Sequence, residues 1–526
     1  MGEYDGVTPV LIMAGRTGLY GLRNREMIPT AGLIVFRNAT FEDATWRTGP
    51  GASILGAAIT GAPAIQAAID FWPDPDTQRA LVSCGDGTLR KDDGAGDNWV
   101  TLASGLTTAG QVPMWALGGG EDRGRVKKAF HADRINGVRV LAADGATMAA
   151  ISRPPDDWTG SNQPGWLCPH EGYLWGGGGP NFPEGVYRSS RDDHEDFLTR
   201  RYIKALWGGL RRTTVGLSYK GGLVVWGDPE GAWWIDTRDP SDLAWRVVKI
   251  GQAGCPGPLG AIAAEDDVLW VDLQGGWHLM SMTDPQGTPR AQDLTQRQLG
   301  SWFRNYINRS QLHLAQMVWD GERQKAELAC ASQGQTQKNR RVVLDLAQKR
   351  VGLNQQPSGE RWSYWDADRN EALFMRRASG VLEPTFGDAS GRLWRLEQSA
   401  RNRNGSGYTF EWFTRDSDFG EVHRAFMGRR KNLRYLQLVY DARTAGTHSI
   451  ELYHNGEKRQ TVVLDLEAGP PTLPVTLPFQ LGTENMLLTR KVRLTGHAER
   501  ISLRGLSTAA NFDLSIAAII LGLEAT

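Results

Sequence analysis

Short segments with one shared pattern of apolar and polar residues recur between about Ile65 and Leu396. Each segment has an apolar run, a turn rich in Gly and Asp, and a second run that is apolar or aromatic. The paired runs are 80–83 with 88–90, 138–141 with 147–149, 223–226 with 233–235, 268–271 with 277–279, and 372–375 with 393–395. Short apolar runs bounded by turn residues are typical of β-strands. Repeated strand–turn–strand units predict a β-propeller, because each small sheet must stack on its neighbours to bury its faces.

The pattern divides the chain into three parts, and the predicted fold class is all-β. Residues 1–55 lack the repeat and are expected to form an extended arm or a hairpin laid on another surface. Residues 56–398 are predicted to form the propeller, whose first strand begins near Ile65, where apolar and polar residues alternate. In the last pair of runs, a long loop is expected to precede Gly387.

A C-terminal β-sandwich is predicted for residues 399–526, after a polar stretch at 399–407 that is rich in Gly, Asn and Arg. Its strands are predicted at 408–413, 433–440, 449–453, 461–466, 491–494, 501–503 and 514–523. Asn455-Gly456, between two of these strands, is a strong hairpin signal. Seven strands in about 120 residues fit an antiparallel sandwich.

One stretch of the sequence predicts a helix. Thr295 and Gln298 have the spacing of a capping box. Leu299, Trp302, Phe303 and Tyr306 then fall on one helical face. The prediction is a helix that packs on the propeller through this aromatic stripe, rather than a cofactor-binding segment.

Charge and hydropathy restrict the functional classes. Lys+Arg and Asp+Glu are equal at 59 each, so overall charge does not draw the chain to nucleic acid or to an anionic membrane. Twenty Trp and 63 Gly suit a turn-rich β protein. The longest late apolar run, 516–521, is much shorter than the ~20 residues of a membrane-spanning helix. We expect no membrane span, no leader peptide and synthesis in the host cytoplasm.

No motif for a common enzyme class is present. The sequence has no HExxH, no GxSxG, no phosphate-binding loop and no GxGxxG that opens a helix. The nine histidines lack metal-ligand spacing. Cys84, Cys168, Cys255 and Cys330 form no CxxC pair, and buried free thiols are expected. We therefore predict no catalytic, cofactor-binding or metal-binding residues, and no cofactor.

Three stretches carry weaker signals. The charged run 191–196 has the groups of a cation site or an acid/base site, but its mixed charge without an apolar frame favours a solvated loop between blade strands. The glycine run 176–180 resembles a phosphate cradle, but no helix follows it, so a flexible blade loop is expected. Residues 91–99 resemble the Asp-box turn of sialidase-like propellers and are predicted to form a blade turn.

The clearest basic patch consists of Arg424, Arg429, Arg430, Lys431 and Arg434. A solvated face is the expected role, with passing nucleic acid or the acidic surface of a partner as alternatives.

Four stretches resemble parts of bacteriophage tail-hub or nozzle proteins of the kind that contains a propeller. Residues 32–51 resemble the N-terminal segment of that family. Residues 186–197 resemble its recurrent V-Y-x-S…D-P-x-D-F loop, with His194 where proline is common. Residues 217–235 resemble the strand pair that follows this loop, and 409–420 with the sandwich after it resemble the C-terminal module.

The resemblance implies a structural protein of the virion tail with no active site. It implies a homo-oligomeric ring, expected to have six copies, around the DNA exit channel. Its expected partners are other tail or adaptor proteins and the genomic DNA in transit during ejection. A rigid propeller and sandwich would pack heterologously into a closed ring. Our hypothesis is that near-neutral charge lets DNA slide, since extensive phosphate neutralisation would hold it.

Two other functions remain open at this stage. The Asp-box-like turn and the many Trp residues, which can stack on sugar rings, are compatible with a propeller glycosidase or depolymerase. Such an enzyme needs carboxylates that converge around the sugar, and sequence alone does not reveal convergence. The C-terminal sandwich could instead bind a host receptor.

Overall fold

The computed structural model describes most of the chain, and the statements below concern the residues that it describes. They are 7–13, 18–21, 28–29, 32–42, 45–94, 97–119, 127–197, 202–204, 212–239, 241, 244–281, 290–295, 298–347, 361–366, 372–378, 380–397, 401–467, 487–508 and 510–526. Strands make up 57% of the structure and helices 4%, which confirms the all-β prediction.

Five strands precede the first blade. They are β1 (Thr8–Met13), β2 (Leu33–Arg37), β3 (Ala39–Glu42), β4 (Thr45–Thr48) and β5 (Gly51–Leu55). Only β3 and β4 form a hairpin with each other. The other three pair with strands from the far end of the propeller or from the C-terminal region.

Five four-stranded sheets follow, and we number them blades 1 to 5. Blade 1 contains β6 (Ile65–Asp74), β7 (Thr77–Cys84), β8 (Leu89–Asp92) and β9 (Trp99–Ala103). Blade 2 contains β10 (Met114–Gly119), β11 (Lys127–Ala132), β12 (Arg139–Ala142) and β13 (Ala149–Ala150). Blade 3 contains β14 (Trp166–His170), β15 (Tyr173–Gly177), β16 (Gly185–Arg188) and β17 (Tyr202–Lys204). Blade 4 contains β18 (Arg212–Tyr219), β19 (Gly222–Asp228), β20 (Glu230–Asp236) and β21 (Arg246–Ala253). Blade 5 contains β22 (Ala261–Ala264), β23 (Asp267–Val271), β24 (Trp277–Ser281) and β25 (Arg290–Asp293). The start of β6 at Ile65 is as predicted.

Two further four-strand units complete the ring. The first, which we call the shared blade, contains β26 (Gln316–Asp320), β27 (Lys325–Cys330), β28 (Arg340–Asp345) and β29 (Arg361–Asp366). Blade 6 contains β30 (Ala372–Ala378), β31 (Val381–Gly387) and β32 (Leu393–Glu397), and β5 is its fourth strand. The ring therefore has six blades that are separate four-stranded sheets. The shared blade, which is part of a larger sheet, lies between blades 5 and 6.

The first strand of each unit lies against that of the next, and β30 of blade 6 lies against β6 of blade 1. Strand β5 pairs along β32, so a strand from before blade 1 closes the last blade. The prediction of a long loop before Gly387 is wrong, because β31 occupies most of this region. Pro384 lies inside β31, opposite Met375, and proline in an apolar run is normally evidence against an interior strand.

Turn chemistry explains why the blade hairpins form. Between β31 and β32, the Asp388 carboxylate accepts hydrogen bonds from the backbone N–H of Ser390 at 2.7 Å and of Arg392 at 2.9 Å. Its second oxygen accepts from Trp394 Nε1 at 2.9 Å. Asp272 holds the β23–β24 turn in the same way. The aspartates in the repeat therefore replace backbone partners within the turns.

The predicted helix is present as α1 (Gly300–Tyr306), and a 3₁₀ helix, Arg309–Leu314, follows it. Leu299, Trp302 and Phe303 are buried as predicted, whereas Tyr306 is 49% exposed. The capping box is wrong, because the N-cap residue is Leu299 and no side chain caps the helix. Thr295 accepts a hydrogen bond from the Trp277 backbone N–H instead.

The remaining strands form the sandwich. They are β33 (Phe410–Thr414), β34 (Lys431–Ala442), β35 (Gly446–His454), β36 (Glu457–Leu466), β37 (Leu488–Arg493), β38 (His497–Ala498), β39 (Ile501–Ser507) and β40 (Leu514–Ala525), with a 3₁₀ helix at Arg424–Phe426. All seven predicted strands are confirmed. The hairpin at Asn455-Gly456 is confirmed too, with positive φ at both residues (50° and 85°) as a type I′ turn requires.

Two sheets face each other in the sandwich. One contains β3, β4, β40, β34 and β37, with β1 paired to β40 and β38 to β34. The other contains β2, β33, β39, β35 and β36, in that order. Strand β2 pairs with β29 of the shared blade, so the shared blade and this sheet form one nine-stranded sheet. Trp46 on β4 and Trp412 on β33 meet between the sheets, with ring centroids 5.8 Å apart.

Candidate functional site

The centre of the propeller holds a cavity of about 110 Å³. It lies where the first strands of several units begin, and its polar lining includes Gln66, Gln111, His313, Gln316 and Lys338. Ligand pockets usually have volumes of roughly 300–1,000 Å³. This cavity is therefore suited to water or to a small molecule, and not to a polymer strand.

Glutamine side chains join the units around the cavity. Gln316 Nε2 donates to the Gln66 carbonyl at 2.7 Å, and Gln316 Oε1 accepts from the Leu373 backbone N–H at 2.6 Å. Gln111 Nε2 donates to Gln66 Oε1 at 2.7 Å. Gln111 Oε1 is buried and has no hydrogen-bond partner among the described residues. These neutral amides tie blades 1, 2 and 6 to the shared blade without a carboxylate.

The 3₁₀ helix Arg309–Leu314 closes the axis beside this cavity. Gly257 packs so closely that a Cβ there would clash with the carbonyl oxygen of His313. Gly257 and His313 also line a second, smaller cavity of about 10 Å³, together with Arg134. Only glycine permits this approach of the two segments, so the axis is filled by protein at this level.

The charged run 191–196 lies between β16 and β17, as predicted, but it is only partly solvated, since Arg191 alone of its six residues is fully exposed. His194 is buried, and its Nδ1 accepts a hydrogen bond from the Gly119 backbone N–H of blade 2 at 3.0 Å. Burial lowers the pKa of His194. Glu195 forms an ion pair with Lys128 of blade 2. The loop therefore fastens blade 3 to blade 2 through His194 and Glu195.

The glycine run 176–180 is also different from the prediction. Gly176 and Gly177 belong to β15 and are buried. A Cβ on Gly177 would lie 2.6 Å from the Gly185 carbonyl, and one on Gly178 would clash with the carbonyl oxygen of Thr213. These glycines allow close backbone packing within blade 3 and against blade 4, so the segment is not a flexible loop.

The Asp-box-like stretch forms a blade turn between β8 and β9, as predicted. Asp93 accepts hydrogen bonds from the Asp97 backbone N–H at 3.3 Å and from Asn98 Nδ2 at 2.7 Å. Trp99 donates from Nε1 to the Ala57 carbonyl at 3.1 Å. The Asp93 carboxylate and the Trp99 indole N–H are therefore hydrogen-bonded within the protein.

The basic patch divides into a structural part and an exposed part. Lys431 is buried, and its ammonium donates to the carbonyls of Arg429 and Glu499, both at 2.6 Å. Arg434 donates from Nε to Glu524 at 2.9 Å. Arg424, Arg429 and Arg430 are exposed.

Exposed apolar side chains accompany these three arginines. Met427 is 63% exposed and Val422 is 46% exposed. We call Val422, Arg424, Met427, Arg429 and Arg430 the tip patch. Met and Arg are enriched at protein interfaces, so the tip patch has the composition of a contact surface.

The four cysteines are free and buried, as predicted. Burial raises the pKa of each thiol to about 12. Thiolate is the reactive form, so these thiols are unreactive in the folded protein.

Ion pairs between consecutive blades are the chief feature that the sequence analysis missed. Asp144 of blade 2 accepts from Lys91 at 2.7 Å and from Arg79 at 2.9 Å, both on blade 1. Arg376 of blade 6 forms an ion pair of 3.0 Å with Asp92 of blade 1, and both side chains are at least 95% buried. The repeat hides these pairs, because the partners lie in different units and no local pattern marks them.

No cluster of three or more metal-ligating side chains occurs among the described residues. No helix in the described part of the chain is long and apolar enough to cross a membrane. The sequence has no significant match to a protein-family model or to a curated protein.

Proposed function

We propose that this chain is a structural component of a phage tail, a hub or nozzle subunit that packs with other copies around the DNA exit channel. The observation that supports this most is the nine-stranded sheet. Strand β29 of the propeller and β2 of the sandwich run side by side, with Arg37 opposite Tyr364. Backbone hydrogen bonds therefore connect the two folds where multidomain proteins usually have a linker.

Side chains strengthen this junction. Trp365 Nε1 donates to the Ala39 carbonyl at 2.7 Å, and Asn38 Oδ1 accepts from the Asp366 backbone N–H at 3.1 Å. One hydrophobic core runs from Leu269 in blade 5 to Leu521 in the sandwich. A chain built in this way resists bending between its two halves, which suits a part that transmits force within an assembly.

The closed axis affects where DNA would pass in this proposal. The axial cavity of about 110 Å³ is far too small for a duplex, whose major groove alone is roughly 12 Å wide. DNA would therefore run along a channel formed between copies, outside the propeller of each chain. The equal totals of acidic and basic residues, 59 each, would limit its adhesion to the channel wall.

The proposal is tested with a phage whose copy of this gene is deleted and supplied in trans. We expect the chain in purified virions by mass spectrometry, and antibody label at the tail in electron micrographs. Absence from intact virions would overturn the proposal. So would turnover of host polysaccharide by the purified chain that is lost on Asp or Glu substitution, because it would indicate a depolymerase.

The tip patch offers a sharper test. We expect Met427→Asp to lower incorporation into virions at least tenfold, because it places a charge in a desolvated contact. Val247→Asp, at a 39%-exposed apolar position on β21 of blade 4, is the matched control and should incorporate normally. Equal incorporation of both variants would exclude the tip patch as the contact surface.

A further inference from the structure

A chain of four hydrogen-bonded side chains crosses the interface between blades 3 and 4. It begins at Ser218, near the end of β18, and continues to His170, the last residue of β14. His170 Nδ1 lies 2.8 Å from Ser218 Oγ, and His170 Nε2 lies 2.6 Å from Thr237 Oγ1. The Thr237 hydroxyl donates to Glu171 Oε2 at 3.1 Å. A serine, an imidazole and a carboxylate are therefore joined through one threonine hydroxyl.

Two hairpin turns bring these groups together. Glu171 begins the turn between β14 and β15, and Lys220 begins the turn between β18 and β19. Their φ angles are 48° and 43°, in the left-handed region that Asn, Asp and Gly usually occupy in such turns. The glutamate in the first turn holds its carboxylate beside Thr237, which follows β20. The turn therefore supplies the acidic end of the chain.

Exposure differs along the chain of side chains. His170 is 4% exposed and Thr237 is 5% exposed, so water does not compete for the imidazole nitrogens. Ser218 is exposed, and the Glu171 side chain is 41% exposed. The serine hydroxyl is therefore accessible from solvent, while the imidazole that contacts it is held inside the protein.

The direction of each hydrogen bond follows from the Thr237 hydroxyl. Its single hydrogen points to the Glu171 carboxylate or to the Gly221 carbonyl at 3.2 Å, and both of these groups only accept. The threonine oxygen therefore accepts from His170, so Nε2 carries the hydrogen and Nδ1 has a lone pair. Ser218 donates its hydroxyl hydrogen to this lone pair. Burial lowers the pKa of His170, although Glu171 opposes this, so the ring is neutral at pH 7 and can accept a proton.

We propose that Ser218 is a nucleophile with His170 as its general base, and that the site hydrolyses a small acyl ester such as an acetyl ester. The arrangement has the roles of a serine–histidine–carboxylate triad, in which a third group orients the base. Thr237 and Glu171 are positioning residues. Ser218 lines neither of the cavities described above, so the site suits a short acyl group rather than one that needs a deep pocket. This activity is independent of the proposed structural role.

The reaction has two steps. Ser218 Oγ forms a bond to the ester carbonyl carbon while its proton moves to His170 Nδ1. The bond from that carbon to the alcohol oxygen then breaks, and the alcohol leaves with the proton from Nδ1. Water next attacks the acyl-serine and gives a proton to Nδ1, and Ser218 leaves with that proton as the carboxylic acid is released. The Glu171 carboxylate, 4.0 Å from Nε2, stabilises the imidazolium that forms in each step.

A fluorophosphonate probe tests the nucleophile in the full chain. We expect covalent labelling of Ser218, located by peptide mass spectrometry, and its loss in Ser218→Ala. Ser241→Ala, at another exposed serine, is the matched control and should be labelled as the wild type is. The wild type should also hydrolyse nitrophenyl acetate faster than Ser218→Ala. Labelling or hydrolysis no greater in the wild type than in Ser218→Ala would overturn the proposal.

Threonine variants separate activation of the serine from a purely structural link between the blades. Thr237→Val keeps the shape but removes the hydroxyl, so the His170 tautomer is no longer fixed. We expect the rate constant of labelling to fall roughly a hundredfold, the lower end of what a general base contributes. Thr237→Ser restores the hydroxyl and should be labelled at nearly the wild-type rate, with thermal melts showing that both variants are folded.

A change at the exposed end of the chain avoids altering the interior. Glu171→Gln removes the charge that stabilises the imidazolium, and it should also slow labelling. Labelling at the wild-type rate in both Thr237→Val and Glu171→Gln would show that these hydrogen bonds only join blade 3 to blade 4, and would exclude the proposed activation of Ser218.

Discussion

Replacing Arg376 by methionine removes the cation that balances Asp92 where blade 6 meets blade 1. The exposed fractions of the two side chains are 5% and 0%, so the carboxylate stays buried without its partner. Breaking a buried ion pair in this way costs about 3–5 kcal/mol. We expect a loss of that size in the free energy of unfolding, measured by urea denaturation at pH 7.5 with tryptophan fluorescence.

The double variant separates charge from shape. Arg376→Met with Asp92→Asn removes both charges, so it should recover about 2 kcal/mol of the loss. Arg377→Met, at the neighbouring and less buried position, is the control and should cost under about 1 kcal/mol. If the double variant were no more stable than Arg376→Met, the pair would not act through its charge.

The sign of the pH dependence follows from Asp92. Burial raises its pKa above the ordinary 3.8, and Arg376 opposes this. Without Arg376 the pKa of Asp92 rises further, and the protonated carboxyl needs no cation. The deficit of Arg376→Met is therefore full above the raised pKa and should shrink as the pH falls towards 4. A deficit that grows on acidification would refute this reasoning.

Three further predictions follow from the sandwich and the thiols. Gly505→Ala should lower the free energy of unfolding by about 1–3 kcal/mol, because a Cβ there clashes with the Trp412 indole. The control Gly137→Ala, with nothing within 4 Å of its Cβ, should lower it little. Equal unfolding midpoints for the two variants would contradict this. Burial lowers the pKa of His448 from 6.5 to about 3. Its contribution to stability is therefore fully present above pH 6.5 and is lost as the pH falls below that value. The loss is about 1.4 kcal/mol per pH unit. His448→Gln should remove that part of the slope, and an unaltered slope from pH 6.5 to 4 would argue against it. The native chain should show almost no reaction with a thiol reagent and four thiols after denaturation, and rapid reaction of the native chain would exclude the buried state. The four thiols are those of Cys84, Cys168, Cys255 and Cys330.

Local signals made part of this fold predictable. Asn455 and Gly456 both have positive φ, the backbone geometry of a type I′ turn, for which Asn-Gly is strongly preferred. The alternation of apolar and polar residues after Ile65 indicated a half-buried strand. Strand β31 was missed because Pro384 interrupts its apolar pattern. The stripe of Leu299, Trp302 and Phe303 located the helix correctly, although Thr295 does not cap it.

The site was less accessible to sequence reasoning, since it depends on pairs far apart in the chain. Gln66 and Gln316 are separated by 250 positions and meet at the axis. Arg134, after β11, and His313, before β26, line the same small cavity although 179 positions separate them in the sequence. The charged run 191–196 was visible, but the burial of His194 depends on Gly119 in the preceding blade.

Strand β40 imposes an order on biosynthesis. One of its edges pairs with β34, and the other pairs with β1 and β4, so that Thr8 lies opposite Leu523. A ribosome needs on the order of half a minute to two minutes to translate the residues between them. Until β40 emerges, β1 and β4 have unpaired edges that can associate with other nascent chains. High-level expression should therefore depend on chaperones that shield these first strands.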